Sequence, residues 1–338
     1  MSDPWLSAPD DRLVPELLRR LDERNCLPGE RLEQCVLGSL SLDEAAEVRN
    51  HLVDCLPCLN SFARLQSLHE NSEARYWSQK DRWEDRRLVV DSPSARALQT
   101  QVSRLASMDE GPGAPPVLVT GEIGTGKGVV AHEIHALSRR ASRPFLEIGC
   151  AGTPVSWLEL ELFGYERGAF PGAAIATPGL FEVADGGTLF LDEIEALPLD
   201  LQGRVLEAIE HRSVRRRGAA AVMAHDARVI VASHVDLDDA VRRGTFRADL
   251  LDRLRPAMLP LPPLRERPDD IVPLARYFVG QFAGSHGGAP SLSIDAEERL
   301  RRYRWPGNIR ELLIVIERAA RRGKREEIGA EELDLPTA

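Results

Sequence analysis

Two short stretches of this sequence carry residues whose types and spacing suit phosphate chemistry. The first, Gly121-Glu-Ile-Gly-Thr-Gly-Lys-Gly128, directly follows the apolar run Val117-Leu-Val-Thr120 and opens a helical pattern at Val129. A glycine-rich loop between strand and helix lets backbone N–H groups wrap phosphate oxygens at the helix N-terminus, with Lys127 reaching the β and γ oxygens. Gly121, Glu122, Ile123, Gly124, Thr125, Gly126, Lys127 and Gly128 are therefore the candidate cradle for ATP. Gly128 stands where a Ser or Thr hydroxyl would ligate Mg²⁺, so the cation must lean on other ligands and on water. The second stretch, Gly186-Gly-Thr-Leu-Phe-Leu-Asp-Glu193, ends an apolar run in two carboxylates. Asp192 is placed to hold Mg²⁺ through water, and Glu193 to orient and polarise the water that attacks the γ-phosphate.

A third constellation lies near the N-terminus. His51-Leu-Val-Asp-Cys55-Leu-Pro-Cys58 sets His51 and Cys55 at i and i+4 on one face of a helix expected to begin near Ser41, with Cys58 just past its end. With Cys26 as the fourth ligand, these residues make a Cys₃His tetrahedral set for Zn²⁺. Cys35 falls at helical spacing with Leu32 and Val36, which suits core packing, and it is the alternative to Cys26. A small helical hairpin with buried free thiols is the plainer reading of the same segment. Five cysteines, an odd count, fit a reducing compartment better than a disulfide framework.

These groups need elements to hold them. The runs at Val117, at Thr188-Leu-Phe-Leu191 and at Arg228-Val-Ile-Val-Ala232, separated by helical patterns, argue for parallel strands buried on both faces. Helical patterns over 270–282, 293–303 and 308–321 close the chain in a small helical subdomain. Before the strands, 10–24 and 43–52 also read as helices, and the polar stretch 60–87, with Trp77 and Trp83, as a long helix or linker. The expected fold is thus α/β, a parallel sheet flanked by helices plus an all-helical lid, preceded by a small helical zinc-binding domain. The corresponding boundaries are 1–60 for the zinc-binding domain, 61–87 for the linker, 88–259 for the nucleotide-binding core and 260–338 for the lid.

Composition bounds the function. The 338 residues are 43% hydrophobic and 28% charged, as in ordinary globular chains, and the net charge of −10 disfavours nucleic-acid binding through bulk electrostatics. No window approaches the ~18 apolar residues of a membrane span and no apolar signal core opens the chain, so a soluble, cytoplasmic protein is expected. Lys127 is one of only three lysines, with Lys80 and Lys324, in a chain that otherwise uses arginine. The phosphate loop keeps the compact ammonium that a guanidinium does not replace.

Over residues 88 to 336 the sequence resembles the AAA+ ATPase module of sigma-54-dependent bacterial transcription activators. The likeness is carried by Gly121–Gly128, Glu161–Ala173, Ala184–Glu193, Phe246–Leu254, Pro262–Arg267 and Trp305–Leu312. It implies a P-loop AAA+ fold, ATP bound between subunits of a ring, usually a hexamer, and hydrolysis that drives an exposed loop against the sigma-54 RNA polymerase holoenzyme. By position it implies that Arg247 and Arg253 are offered to a neighbouring subunit's γ-phosphate and that Arg310 senses nucleotide within its own subunit. Ala184, Asp185, Gly186 and Gly187 join the nucleotide-binding set, and His234 stands at the sensor position. The N-terminal spacing resembles the zinc-binding anti-sigma domain. Three departures stand out. The sigma-contacting loop reads Gly168-Ala-Phe-Pro-Gly-Ala173, with Pro171 where the family has Thr; Gly149 replaces an Asn that would restrain Glu193; and Ala232-Ser-His234 replaces Ala-Thr-Asn. No helix-turn-helix pattern follows the lid, so no direct DNA contact is expected. Two alternatives accompany this reading: a nucleotide-gated interaction protein that no longer remodels sigma-54, and a zinc or thiol redox sensor using the ATPase as effector.

Overall fold

The computed structural model describes residues 88–335, apart from 110, 112, 152–154, 171, 172, 174, 175, 283–289 and 323–326, together with Glu44, Glu47, Val48 and His51. The described residues fall into two compact units. The larger runs over 79–155, 184–214 and 224–338 and is built on a five-stranded sheet. Its strands are β1 (Val117–Thr120), β2 (Phe145–Gly149), β3 (Thr188–Asp192), β4 (Arg228–Ser233) and β5 (Met258–Pro260), in the order β2-β3-β4-β1-β5. All neighbours are parallel, with Val119 opposite both Ala232 and Leu259.

The apolar runs read from the sequence become β1, β3 and β4, and every residue of β4 is buried. Such continuous burial is what a sheet covered on both faces requires. Helices α1 (Pro93–Ser107) and α2 (Lys127–Ala136) pack Val102, Leu105, Val130 and Ile134 against Val117, Val119, Phe190 and Ile230. Ser92 caps α1, its hydroxyl accepting from the Ala95 N–H at 2.9 Å. Helix α3 (Leu199–His211) follows β3.

A buried charge network closes the sheet at the starts of β3 and β4. The Arg140 guanidinium donates from Nε to both Asp109 oxygens at 3.0 and 3.1 Å and pairs through Nη2 with Asp226 at 2.9 Å. Fully buried Arg228 donates to the Leu105 carbonyl at 2.6 Å and lies 4.0 Å from Asp109. Burial of this kind is tolerated only because the charges are paired.

The C-terminal helices α4 (Ile271–Phe282), α5 (Ile294–Arg302) and α6 (Asn308–Arg322) match the three helical patterns in the sequence. They share an apolar core around Trp305, which is wholly buried and donates from Nε1 to the Leu300 carbonyl at 2.9 Å.

The smaller unit holds Ser156–Val183, Arg215–Met223 and the described N-terminal residues. Here Gly164–Tyr165 pair antiparallel with Thr177–Pro178, and Phe163 stacks on Phe181 at 5.7 Å. Arg216 bonds both Glu182, at 2.7 Å, and Glu166, at 3.1 Å. Among the described residues no helix is long and apolar enough to cross a membrane.

Candidate active site

Strand β1 delivers the chain into the glycine-rich loop, where Gly121, Gly124 and Gly126 take φ of 151°, 81° and 97°. A Cβ on Gly124 would stand 2.3 Å from the Gly307 carbonyl oxygen, and one on Gly121 2.6 Å from that of Leu261. Space and conformation both require glycine there. Helix α2 begins at Lys127, so the first N–H groups of the helix lack intrahelical acceptors and face an incoming anion at the positive end of the helix dipole. The Lys127 ammonium donates to the carbonyls of Gly121 at 2.8 Å and Glu122 at 3.0 Å. Burial lowers its pKa, while the carboxylates of Asp192, Glu195 and Glu193 oppose that shift.

Asp192 ends β3, and Glu193 turns the chain in the left-handed region at φ 56°, its N–H donating to Asp192 Oδ1 at 3.1 Å. Burial raises the Asp192 pKa against the pull of Lys127. The segment 123–128, Asp192, Glu193 and Arg310 line one cavity of about 490 Å³; the rest of its lining is largely apolar, with Leu88, Leu98, Tyr277 and Leu313, and also takes in Glu147, Arg267, Asp270 and Gln281. Its size and its few convergent polar groups suit a nucleotide-sized ligand.

The start of α6 and the turn at 264–267 grip this loop from outside, through residues to which the sequence reading gave no role. Asn308 donates from Nδ2 to the Ile123 carbonyl at 2.9 Å and to Glu122 Oε2 at 3.1 Å, while its Oδ1 accepts from the Leu264 N–H at 2.8 Å. The Ile309 N–H donates to the Gly124 carbonyl at 2.9 Å, and Arg267 to that of Thr125 at 2.9 Å. Arg265 forks onto both Glu122 oxygens at 2.6 and 2.8 Å. Arg265 and Asn308 together hold the Glu122 carboxyl down to about 2. The positions lie inside Pro262–Arg267 and Trp305–Leu312, so the motifs were visible and only their target was not.

With this geometry in place, comparison with known proteins is decisive. Residues 88–260 match the sigma-54 interaction domain, and 265–337 the AAA+ ATPase lid domain. The chain belongs to the sigma-54 interaction family. It is 46% identical over 229 residues to the sigma54-dependent transcriptional regulator SfnR of Pseudomonas fluorescens, covering 68% of this chain and 61% of that protein. It is 46% identical to the Psp operon transcriptional activator of Escherichia coli, covering 70% of this chain and 71% of that one. The crystal structure of NtrX from Brucella abortus in complex with ADP superposes with a TM-score of 0.66 at 30% identity, covering 82% of this chain and 59% of NtrX. The ATP complex of NtrX gives a TM-score of 0.65 at 30% identity, over 80% of this chain and 63% of that one. The fold is therefore AAA+, with α4–α6 as its lid. The chain spans 39 to 61% of the length of the first curated relatives it matches.

Other expected family positions fall outside the cavity. Ala184, Asp185, Gly186 and Gly187 sit at the opposite end of β3 from Asp192, so they turn the chain into the strand and do not line the cavity: Gly187 has its N–H on the Ala184 carbonyl at 2.8 Å, and Asp185 accepts from the Asp226 N–H at 2.7 Å. A Cβ at Gly187 would lie 2.2 Å from the Pro144 carbonyl oxygen, which accounts for the glycine by packing. Arg247 is exposed and paired with Asp249 at 2.7 Å, and exposed Arg253 is likewise outside the cavity of its own chain. His234 directly follows the last residue of β4, with its ring 2.7 Å from Glu195, a residue the sequence reading passed over. At Gly149, where the resemblance implies an Asn, an added Cβ would meet nothing within 4 Å.

In the smaller unit Gly168, Ala169, Phe170 and Ala173 of the family loop are described, whereas Pro171 and Gly172 lie outside the described residues. The Gly168 N–H closes on the Ala173 carbonyl at 2.8 Å, and Phe170 packs on Tyr165 at 5.1 Å beneath the Arg217 guanidinium at 5.3 Å. Of the expected zinc ligands, Cys26, Cys55 and Cys58 lie outside the described residues, as does Cys35. His51 is helical and half-buried; in the same segment, read as a helix, Glu44 and Glu47 are helical and exposed and Val48 is helical and buried. Among the described residues no cluster of three His, Cys, Asp or Glu side chains could hold a metal.

Proposed function

We propose that this chain binds ATP with Mg²⁺ in the cavity described above and hydrolyses it within a ring of subunits, as a regulator of sigma-54-dependent transcription. The observation that carries this reading is the convergence of the glycine-rich loop, Lys127 and the Asp192–Glu193 pair on one cavity with an apolar wall. In it, the loop and α2 N–H groups and Lys127 hold the phosphates, and the apolar wall takes the base. The close approach of the lid and Leu261 to Gly124 and Gly121 keeps the loop in the open curve a phosphate needs. Asp192 would hold Mg²⁺, and the cation would neutralise phosphate charge. Glu193 orients the attacking water, and Arg310 reads the nucleotide from the lid. Arg247 and Arg253, both exposed, serve a neighbouring subunit, where a guanidinium stabilises transition-state charge. The loop 168–173 is the surface offered to the sigma-54 holoenzyme, and Cys26, His51, Cys55 and Cys58 hold Zn²⁺ in an N-terminal module, the last resting on sequence spacing alone.

The test is the specific ATPase rate as protein concentration rises. Shared sites predict activity that climbs with assembly and collapses in Arg247→Ala; an active monomer indifferent to that change overturns the ring mechanism. Zinc content of the purified chain, lost on chelation or in Cys55→Ser, tests the N-terminal site.

A second reading is favoured by Pro171, which lacks the hydroxyl and the backbone donor of the family's Thr and holds φ near −65°. In it, nucleotide gates binding of another partner, and sigma-54 is not remodelled. Open-complex formation by the unmodified chain with sigma-54 holoenzyme excludes this second reading; formation only by Pro171→Thr supports it.

A further inference from the structure

Past Asp192 the chain makes one 3₁₀ turn, Ile194–Ala196, that sends Glu195 back across the end of the neighbouring strand β4. There Glu195 Oε1 takes two contacts from one residue: the His234 backbone N–H donates to it at 3.1 Å, and the His234 ring places Nδ1 at 2.7 Å. The same Nδ1 stands 3.9 Å from Glu193 Oε1. Glu195 is nearly buried, its side chain 11% exposed, and its second oxygen has no hydrogen-bond partner among the described residues.

A half-satisfied buried carboxylate is a poor device for stability, because an apolar side chain of similar volume would avoid its desolvation. It is a good device for geometry. An ionised carboxylate only accepts, so the hydrogen must sit on Nδ1 of His234, and both the ring orientation and the tautomer are set from outside the ring. Nε2 is then the nitrogen left for other partners. In a serine-protease triad a buried carboxylate performs the same service for its histidine.

We infer that Glu195 is a positioning residue for ATP hydrolysis, which holds His234 beside Glu193 by accepting from both the backbone and the ring of His234. This rests on the reading of the cavity as an ATPase site. His234 works at the end of β4 with one nitrogen committed and one free, and Glu195 itself does not touch the reactants. The pair explains how a histidine can occupy this position: a ring with two tautomers and free rotation would leave the water near Glu193 without a fixed neighbour.

The experiment combines three readouts on the full chain: steady-state ATP turnover, binding of a fluorescent ATP analogue, and the ¹⁵N shifts of the His234 ring. In Glu195→Leu, kcat is expected to fall about tenfold or more, with KM and analogue affinity changed by less than about twofold. Glu195→Gln keeps an acceptor oxygen and is expected to restore most of kcat. The ring is expected as the Nδ1–H tautomer in the unmodified chain and as a mixture in Glu195→Leu. Turnover in Glu195→Leu equal to that of the unmodified chain overturns the inference and leaves the ATPase reading standing, as does an Nε2–H tautomer in the unmodified chain. An unmodified chain that binds the analogue without turning over ATP overturns the hydrolysis reading and this role with it. If Glu195→Leu does not fold, Glu195→Ala takes its place, and the tautomer of the unmodified chain decides independently of either variant.

Discussion

Replacing Asn308 by alanine is expected to loosen the hold of the lid on the phosphate loop. The side chain is wholly buried, and its three hydrogen bonds reach Ile123, Glu122 and the Leu264 N–H. Alanine orphans the buried Leu264 donor, at about 1 to 3 kcal/mol, whereas the Ile123 acceptor belongs to a residue 50% exposed and adds little. It also places a Cβ-bearing residue without a local polar partner at φ 53°, which costs about 1 kcal/mol. The sum, about 2 to 4 kcal/mol, is a sizeable share of the ~5 to 15 kcal/mol that holds a typical domain together. Asn308→Gly deletes the same bonds without the backbone cost and should be milder by about 1 kcal/mol. Urea unfolding followed by circular dichroism gives both values, and the fluorescent ATP analogue reports whether the loop keeps its shape. A loss below about 1 kcal/mol in both variants would show that the loop stands without the lid and would refute the reasoning.

Glu122 carries a pH signature. Its carboxyl is held at about 2 against an ordinary 4.5, so its stabilising contribution is complete above about 4.5 and fades as the pH falls toward 2; melting temperatures across that window should drop, and Glu122→Gln should flatten the dependence. Gly124→Ala drives a Cβ to 2.3 Å from the Gly307 carbonyl oxygen, so analogue affinity should fall at least about tenfold, and unchanged affinity would contradict the geometry. Cys150 is 2% exposed, and burial with the nearby Asp192, Glu195 and Glu193 charges pushes its thiol pKa up; peptide mapping after iodoacetamide should find it alkylated about a hundredfold more slowly in the folded chain than in urea. Trp305→Ala should cost about 3 to 5 kcal/mol in urea unfolding, as expected for a wholly buried large side chain.

The central strands and the lid helices were legible because their patterns are long or fully apolar: Arg228–Ser233 is buried throughout, and α6 runs for 15 residues. Strand β5 was not, because three residues ending in Pro260 at a sheet edge carry no periodicity. The phosphate loop, Lys127 and the acid pair could be read because they are contiguous and their chemistry is local. Glu195, Arg265, Arg267 and Asn308 could not be assigned in that way, since each acts on residues far along the chain: Glu195 on His234, and the other three on Glu122 to Thr125. Ala184 to Gly187 show the opposite relation. They are contiguous with the acid pair in sequence, but the length of a strand separates them from the cavity.

The order of the sheet has a consequence for how the molecule is made. Strand β1 lies between β4 and β5, its two partners, which are both translated much later. The loop after β1 is shaped by Leu261, Gly307 and Asn308, which come later still. At ~5 to 20 residues per second the ribosome holds this loop exposed and unsupported for on the order of ten seconds or more. A nascent chain therefore completes the support of its phosphate loop only when the lid emerges, and products cut short before the lid are left without it.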